Sequence, residues 1–480
     1  PAMLRPAAPW QAVNRYRSRR HPHPDAESRP ARVSGPRSLR SRRPSRVASA
    51  SLGATSRVPA DRARSTSNAT GRWPDRLAVG PIAPEALSAV PGVRLGSVAA
   101  GIRYQGRHDL AMIELVPGAR TAVALTNNAF AAAPVKICRE HRGRTAQSRA
   151  WIINSGNANA GTGAPGVQAA QRSCQAVAEA LSCDVDEVWP FSTGVIGEPL
   201  PVERIEAAVP ALCDALAADA WLTTAQAIMT TDSVPKGMSR TIDLPDARYT
   251  VTGIGKGAGM IRPDMATMLA FVATDAPLSQ AALDQILGQA IHASFHCITV
   301  DGDTSTNDAC AMAATGQGPQ IDVGTPAYRA CREAIIDVCQ HLAQAMVRDG
   351  EGASKFVTIR IRGARTREEA RTVAFTIAHS PLVKTAWFAS DPNWGRVLAA
   401  VGRSGLEGLR IEGVDLAIDD IDVLAGGEPA PGYQESLASA AMQQEAFTVT
   451  VDLGRGAGEA TIWTCDLGHD YVRINAEYRT

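Results

Sequence analysis

The 480 residues are 45% hydrophobic and 20% charged with a formal net charge of +1, a composition suited to a water-soluble chain with a large core. No apolar run reaches the roughly 18 residues that a membrane helix needs, so no membrane partner is expected. The nine cysteines are scattered, odd in number and without a CxxC pair, which argues against a disulfide framework or a zinc site and for a reducing, cytoplasmic setting.

The near-neutral total hides an asymmetry. Residues 1 to 70 hold 15 arginines and no lysine against three acids, Asp25, Glu27 and Asp61. This stretch is rich in Pro, Ser and Ala and has no sustained apolar periodicity, so residues 1–76 read as a disordered Arg-rich extension. An organelle-targeting segment, which would place the protein in an organelle matrix, and a nucleic-acid-binding arm are the alternatives. Its prolines spoil an amphipathic targeting helix, and no aromatic pattern supports base stacking. A nonessential extension, with no nucleic-acid partner, is the reading taken.

Ordered structure is expected to begin between Leu77 and Pro91. Strands are predicted at 93–98, 110–116 and 121–126, with Pro117-Gly118 as a turn, and a buried strand at 150–154 opens into a Gly/Asn-rich loop over 155–166. Helical spacing covers 169–182, 201–219 and 281–293, the last with Ser279 as its cap, and 324–348, opening near Pro326. The turn Asp246-Ala247-Arg248 feeds a strand at 249–254 that delivers Lys256. Past Gly352 the pattern changes: residues 356–362 alternate as a half-buried strand, 368–378 form a helix, and short strands follow up to Ile474. The whole is an α/β fold with a smaller C-terminal α/β domain over 361–480.

The most informative stretch is Gly253-Ile254-Gly255-Lys256-Gly257-Ala258-Gly259, which leads to Ala266-Thr267 and an apolar run. Glycines around one lysine suit a backbone that turns sharply and approaches a bound group closely. Threonine is a poor nucleophile without a base. If the Ala266–Thr267 bond is cut, Thr267 gains an α-amine of pKa about 7.7–8.0 beside its own hydroxyl. The hydroxyl can itself drive the cut by attacking the Ala266 carbonyl. In Phe191-Ser192-Thr193-Gly194, a hydroxyl and an unobstructed N–H can face one point, as an oxyanion requires.

Three other features weigh less. Residues 301–308 resemble a calcium loop but lack its glycine at position six and glutamate at position twelve, so a network of turn and capping bonds is expected there. Asp349-Gly350-Glu351-Gly352 sets a carboxylate between glycines, suited either to an ammonium group or to a helix end. The glycines around Lys256 match neither nucleotide-binding pattern.

Together with 153–160 (Ile-Asn-Ser-Gly-Asn-Ala-Asn-Ala), Met229-Thr230-Thr231-Asp232, Ser390-Asp391-Pro392-Asn393-Trp394-Gly395-Arg396 and Ile474-Asn475-Ala476-Glu477-Tyr478, these motifs resemble the bifunctional ornithine acetyltransferase/glutamate N-acetyltransferase family of arginine biosynthesis, over residues 77 to 480. The resemblance implies a layered α/β sandwich of the ornithine acetyltransferase/D-aminopeptidase type. It also implies self-cleavage between Ala266 and Thr267 into an α chain (77–266) and a β chain (267–480, of which 267–360 complete the catalytic domain) that stay associated, as a heterotetramer. It assigns Thr267 as nucleophile, Thr193 and Gly194 as oxyanion hole, and Thr230 or Thr231, Lys256, Thr267, Glu351, Asn475 and Thr480 as substrate contacts. The implied reaction passes acetyl from N2-acetyl-L-ornithine to L-glutamate with no metal or cofactor, acetyl-CoA being an alternative donor substrate. A self-processing N-terminal-threonine aminopeptidase or amidase is the rival enzyme, and a nucleic-acid- or partner-binding protein the rival outside catalysis.

Overall fold

The computed structural model describes residues 79–80, 83–84, 86–245, 247–262 and 268–477. The extension at 1–76, the residue Asp246 of the expected turn, the Ala266–Thr267 junction and Thr480 lie outside them.

Two sheets stack face to face in the first part of the chain. A four-stranded sheet runs in the order Val93–Val98, Leu110–Leu115, Ala150–Asn157, Val188–Val195, and a five-stranded one in the order Arg120–Leu125, Ala309–Ala314, Leu269–Thr274, Ala247–Lys256, Lys236–Leu244. Alternation decides which residue enters which layer. Ile113, Trp151, Ile153, Trp189 and Phe191 of the first sheet meet Ile254, Leu269, Phe271 and Ala311 of the second. Their neighbours Leu110, Met112, Ile152 and Val188 face outward under helices Ala133–Arg144, Gly163–Leu181 and Val202–Asp214. On the far side, Tyr249, Val251, Ala270, Val272 and Met312 pack against helices Gln280–Ala293 and Pro326–Arg348. Strands buried on both faces read as apolar runs rather than clean alternations, as Leu269–Thr274 and Ala309–Ala314 do.

From Phe356 onward a second core forms on a six-stranded sheet, ordered Glu428–Pro429, Ile421–Ala425, Asp415–Ile418, Ala446–Asp452, Phe356–Ala364, Gly458–Cys465. Val357, Ile359 and Ile361 turn inward beneath helix Arg367–Ala378, as the alternation at 356–362 anticipates.

Ser279 does cap its helix, its hydroxyl accepting the Ala282 N–H at 3.3 Å. The helix expected over 201–219 ends at Asp214, and two further stretches differ from the sequence reading. The strand at 150 continues to Asn157 and the next helix starts at Gly163, so much of the expected loop is regular. Gly163-Ala164-Pro165-Gly166 looks like a turn but forms a first helical turn, where Pro165 needs no hydrogen-bond donor. Second, the region after Ala378 holds four helices, Pro381–Phe388, Trp394–Gly402, Glu435–Met442 and His469–Glu477, where only strands were expected. The Ser390–Arg396 motif is a helix start: the Asn393 side chain accepts the Arg396 N–H at 3.2 Å.

Candidate active site

The parallel pair Ala150–Asn157 and Val188–Val195 carries Ser155 beside Thr193 and Gly156 beside Gly194. Gly194 has φ +134°, and a Cβ there would collide with the backbone of Gly156. Only glycine fits there. The asparagines around this pair are structural. Asn157 Nδ2 donates to the carbonyls of Glu198 and Pro199, and Asn307 Nδ2 donates to those of Ala158 (2.7 Å) and Ser192 (2.9 Å). Buried amides with saturated hydrogen bonds hold a loop in one conformation.

The hairpin Lys236–Leu244/Ala247–Lys256 returns Lys256 to the level of Lys236, with Lys236 opposite Gly255. Both lysines are buried, at 3% and 2% exposure. Lys236 Nζ donates to Asp232 Oδ1 at 2.7 Å and to Asp349 Oδ2 at 2.6 Å. Asp232 also accepts the N–H groups of Gly257 (2.6 Å) and Thr230 (3.0 Å), and Lys256 Nζ lies 3.9 Å from its Oδ2. Burial alone would raise the Asp232 carboxyl, but Lys236 and Lys256 outweigh it and hold it well below the usual carboxylate range. Burial pushes the Lys256 ammonium down, aided by the repulsion of Lys236.

Helix Pro326–Arg348 ends beside this network, with Asp349 as its C-cap residue. Glu351 follows, its N–H bonded to the Ala258 carbonyl at 2.8 Å and its Oε2 accepting from Asn475 Nδ2 at 2.9 Å. Gly259 presses against the Glu351 carboxylate so closely that a Cβ would not fit. The helix-end reading of the Asp349–Gly352 motif is borne out by Asp349 as C-cap residue, and Glu351 lines the cavity. In the loop at 301–308, Asp301 accepts the N–H groups of Met260 (2.6 Å) and Ile261 (3.0 Å), and Asp308 accepts that of Met268 (3.1 Å). The expected turn bonds run within the loop, from the Asp303 N–H to Asp301 and from the Asn307 N–H to Ser305 Oγ, while the bonds from Met260, Ile261 and Met268 tie the loop to distant segments. Burial raises the Asp301 carboxyl to about 6 and that of Asp308 well above its ordinary range.

These walls enclose a cavity of about 210 Å³ lined by Thr193, Gly194, Thr230, Thr231, Lys256, Glu351 and Asn475 among others. Seven residues singled out from five separate motifs thus converge; the rest of the set, Ala266, Thr267 and Thr480, falls outside the described residues. The threonine pair stays undivided, since both members line the cavity. Sequence reasoning missed Tyr471, which also lines it and whose carbonyl accepts from Asn475 Nδ2 at 3.0 Å. Its spacing of four residues from Asn475 within a helix was the available signal. It missed Lys236 too, although Asp232 and Lys236 have that same spacing. Among the described residues, no group of three or more His, Cys, Asp or Glu side chains is placed to hold a metal ion, and all nine cysteines are free thiols.

A side-chain hydroxyl, a buried ammonium and a carboxylate lining one small cavity suit an enzyme pocket for a small molecule. The ArgJ family model matches residues 94–480, and the chain belongs to that family. It is an acyltransferase of arginine biosynthesis. The chain is 51% identical over 397 residues to the arginine biosynthesis bifunctional protein ArgJ of Methylococcus capsulatus, covering 82% of this chain and 97% of that one. It is 49% identical over 407 residues to the protein of that name from Pseudomonas syringae pv. tomato, covering 84% and 100%. A solved ornithine acetyltransferase complexed with ornithine, from Mycobacterium tuberculosis, is 33% identical with a TM-score of 0.32, covering 41% of this chain and 96% of that one. Among the described residues, no helix is long and apolar enough to cross a membrane.

Proposed function

We propose that the enzyme moves an acetyl group from N2-acetyl-L-ornithine to L-glutamate through an acetyl ester on Thr267. Self-cleavage before Thr267 frees its α-amine. That amine takes the Oγ proton as Oγ attacks the acetyl carbonyl carbon. Thr193 and the Gly194 N–H receive the oxyanion of the tetrahedral intermediate. The C–N bond then breaks and ornithine leaves with the proton. The amine of glutamate attacks the ester next, Thr267 Oγ regains its proton, and N-acetyl-L-glutamate departs. Lys256 pairs with the substrate carboxylate, and Glu351, steadied by Asn475, pairs with an ammonium group. Thr230, Thr231 and Thr480 complete the contacts.

The observation that carries this reading is the convergence of Thr193, Gly194, Lys256 and Glu351, with opposite charges among them, on one small cavity. The pieces before and after the cut remain together, paired into a heterotetramer in the cytoplasm. Each step of the cycle is acid–base and acyl chemistry, for which no cofactor is required. Acetyl-CoA serves as a second donor if the enzyme is bifunctional, as its curated relatives are named; acetylation of glutamate from acetyl-CoA by purified enzyme tests that.

Thr267→Ala is the decisive variant. It is expected to run as one uncut chain on a denaturing gel and to transfer no labelled acetyl from acetylornithine to glutamate. Transfer at the wild-type rate by that variant would overturn the mechanism. Free acetate released by the wild type without glutamate would favour an amidase instead.

A further inference from the structure

Beneath the cavity lies a charge cluster that the proposed reaction does not use. Asp232, Lys236 and Asp349 do not line the cavity, whereas Lys256 does. The side chains of Asp232, Lys236 and Asp349 are 0%, 1% and 2% exposed. With Lys256 they form a buried set of two cations and two anions. The pairing is uneven: Lys236 sits within 2.7 Å of one oxygen on each aspartate, while Lys256 Nζ stands 3.9 Å from Asp232. Asp349 has further support from the N–H and hydroxyl of Ser233. Lys256 is thus the one cation of this set held short of a full ion pair, and the one that faces the cavity.

We infer that Lys236 is a positioning residue for substrate binding: by occupying Asp232 it keeps that carboxylate from capturing Lys256, whose ammonium stays available to an incoming carboxylate. Two anions sharing one buried lysine cannot both be satisfied once that lysine is removed. The nearest remaining cation is then Lys256, on the end of the same hairpin. It would turn down toward Asp232 and away from the cavity. The inference rests on the reading that both substrates bring a carboxylate to Lys256. Besides Asp232, the charged groups acting on Lys256 are Lys236, Glu351 and Asp308. Lys236 opposes its protonation and the three carboxylates favour it, so loss of Lys236 would also make Lys256 harder to deprotonate.

The test is steady-state kinetics on the full chain with acetylornithine and glutamate. Lys236→Met should raise KM for both substrates about tenfold with kcat changed by less than about threefold. The alkaline rise of KM should move to higher pH than in the wild type. Adding Asp232→Asn in the same chain removes the competing anion and should recover most of the lost affinity, which a merely structural role would not produce. Unchanged KM in Lys236→Met, or a double variant no better than the single one, overturns the inference. If the single variant yields no folded enzyme, the double variant decides alone. KM within about threefold of wild type then supports the inference, and a rise of about tenfold or more sinks it. A wild type that does not transfer acetyl between these substrates would instead defeat the proposed function itself.

Discussion

The stacked sheets and the C-terminal sheet use burial differently. Between and around the stacked pair lie Asp109, Asp232, Lys236, Lys256, Asp275, Asp308 and Asp349, each with its residue exposed by less than a tenth. The C-terminal region buries only Lys384 and Asp466 among its acids and lysines. Both of those serve structure: Lys384 Nζ donates to Thr464 Oγ1 at 3.1 Å, and Asp466 accepts the N–H groups of Ser354 and Lys355. Burying a charge is costly unless it is paired, so a fold tends to concentrate such groups where they are needed. The first region supplies most of the residues that line the cavity. The second contributes one helix, His469–Glu477, which brings Tyr471 and Asn475 to the cavity rim.

Breaking the first region should cost activity and breaking the second should cost stability. The largest effect is expected from Gly194→Ala. The new methyl has no room against Gly156, so the oxyanion wall must shift, and kcat should fall about 10²–10³-fold as when a single oxyanion donor is lost. Near-wild-type turnover in that variant would remove Gly194 from the proposed site. Ile462→Ala, in the core of the six-stranded sheet at 0% exposure, should cost about 2–5 kcal/mol of stability. Below its melting temperature it should bind substrate normally, which urea titration beside a KM measurement checks. A collapse of KM there would mean that the two regions are not separable.

The smallest effect concerns pH. Burial makes the folded chain hold the Asp301 proton up to about 6, whereas an ordinary aspartate carboxyl releases it near 3.8. Between those values the native state binds more protons, so this residue makes stability fall as pH rises from about 4 to about 6. Asp301→Asn should flatten that part of the urea-midpoint curve. An unaltered slope would show that Asp301 does not titrate there.

Much of this division is legible in the chain. Alternation at 356–362 and the capped helices at Ser279 and Pro326 follow from local rules. Thr193, Gly194, Lys256 and Glu351 are legible because each sits in a short run of glycines or hydroxyls that an ordinary core element does not need, whereas Thr230, Thr231 and Asn475 were legible only through the family resemblance. The Lys236–Asp349 pair was not legible, since 113 positions separate its members and only the closing of the hairpin on the end of a long helix brings them together. The four helices after Ala378 were hidden for a local reason. Trp394–Gly402 and Pro381–Phe388 span only nine and eight residues, too short for a periodicity to stand out.

In the five-stranded sheet, the neighbours Leu269–Thr274 and Ala309–Ala314 are flanked on one edge by Arg120–Leu125 and on the other by Ala247–Lys256. Peptide segments from upstream of Ala266 thus grip downstream segments from both sides. Severing the connection would free two new termini without loosening a single ladder, and the fragments could be exchanged with those of another molecule only by dismantling the layer itself. A cut inside such a weave would leave its architecture undivided.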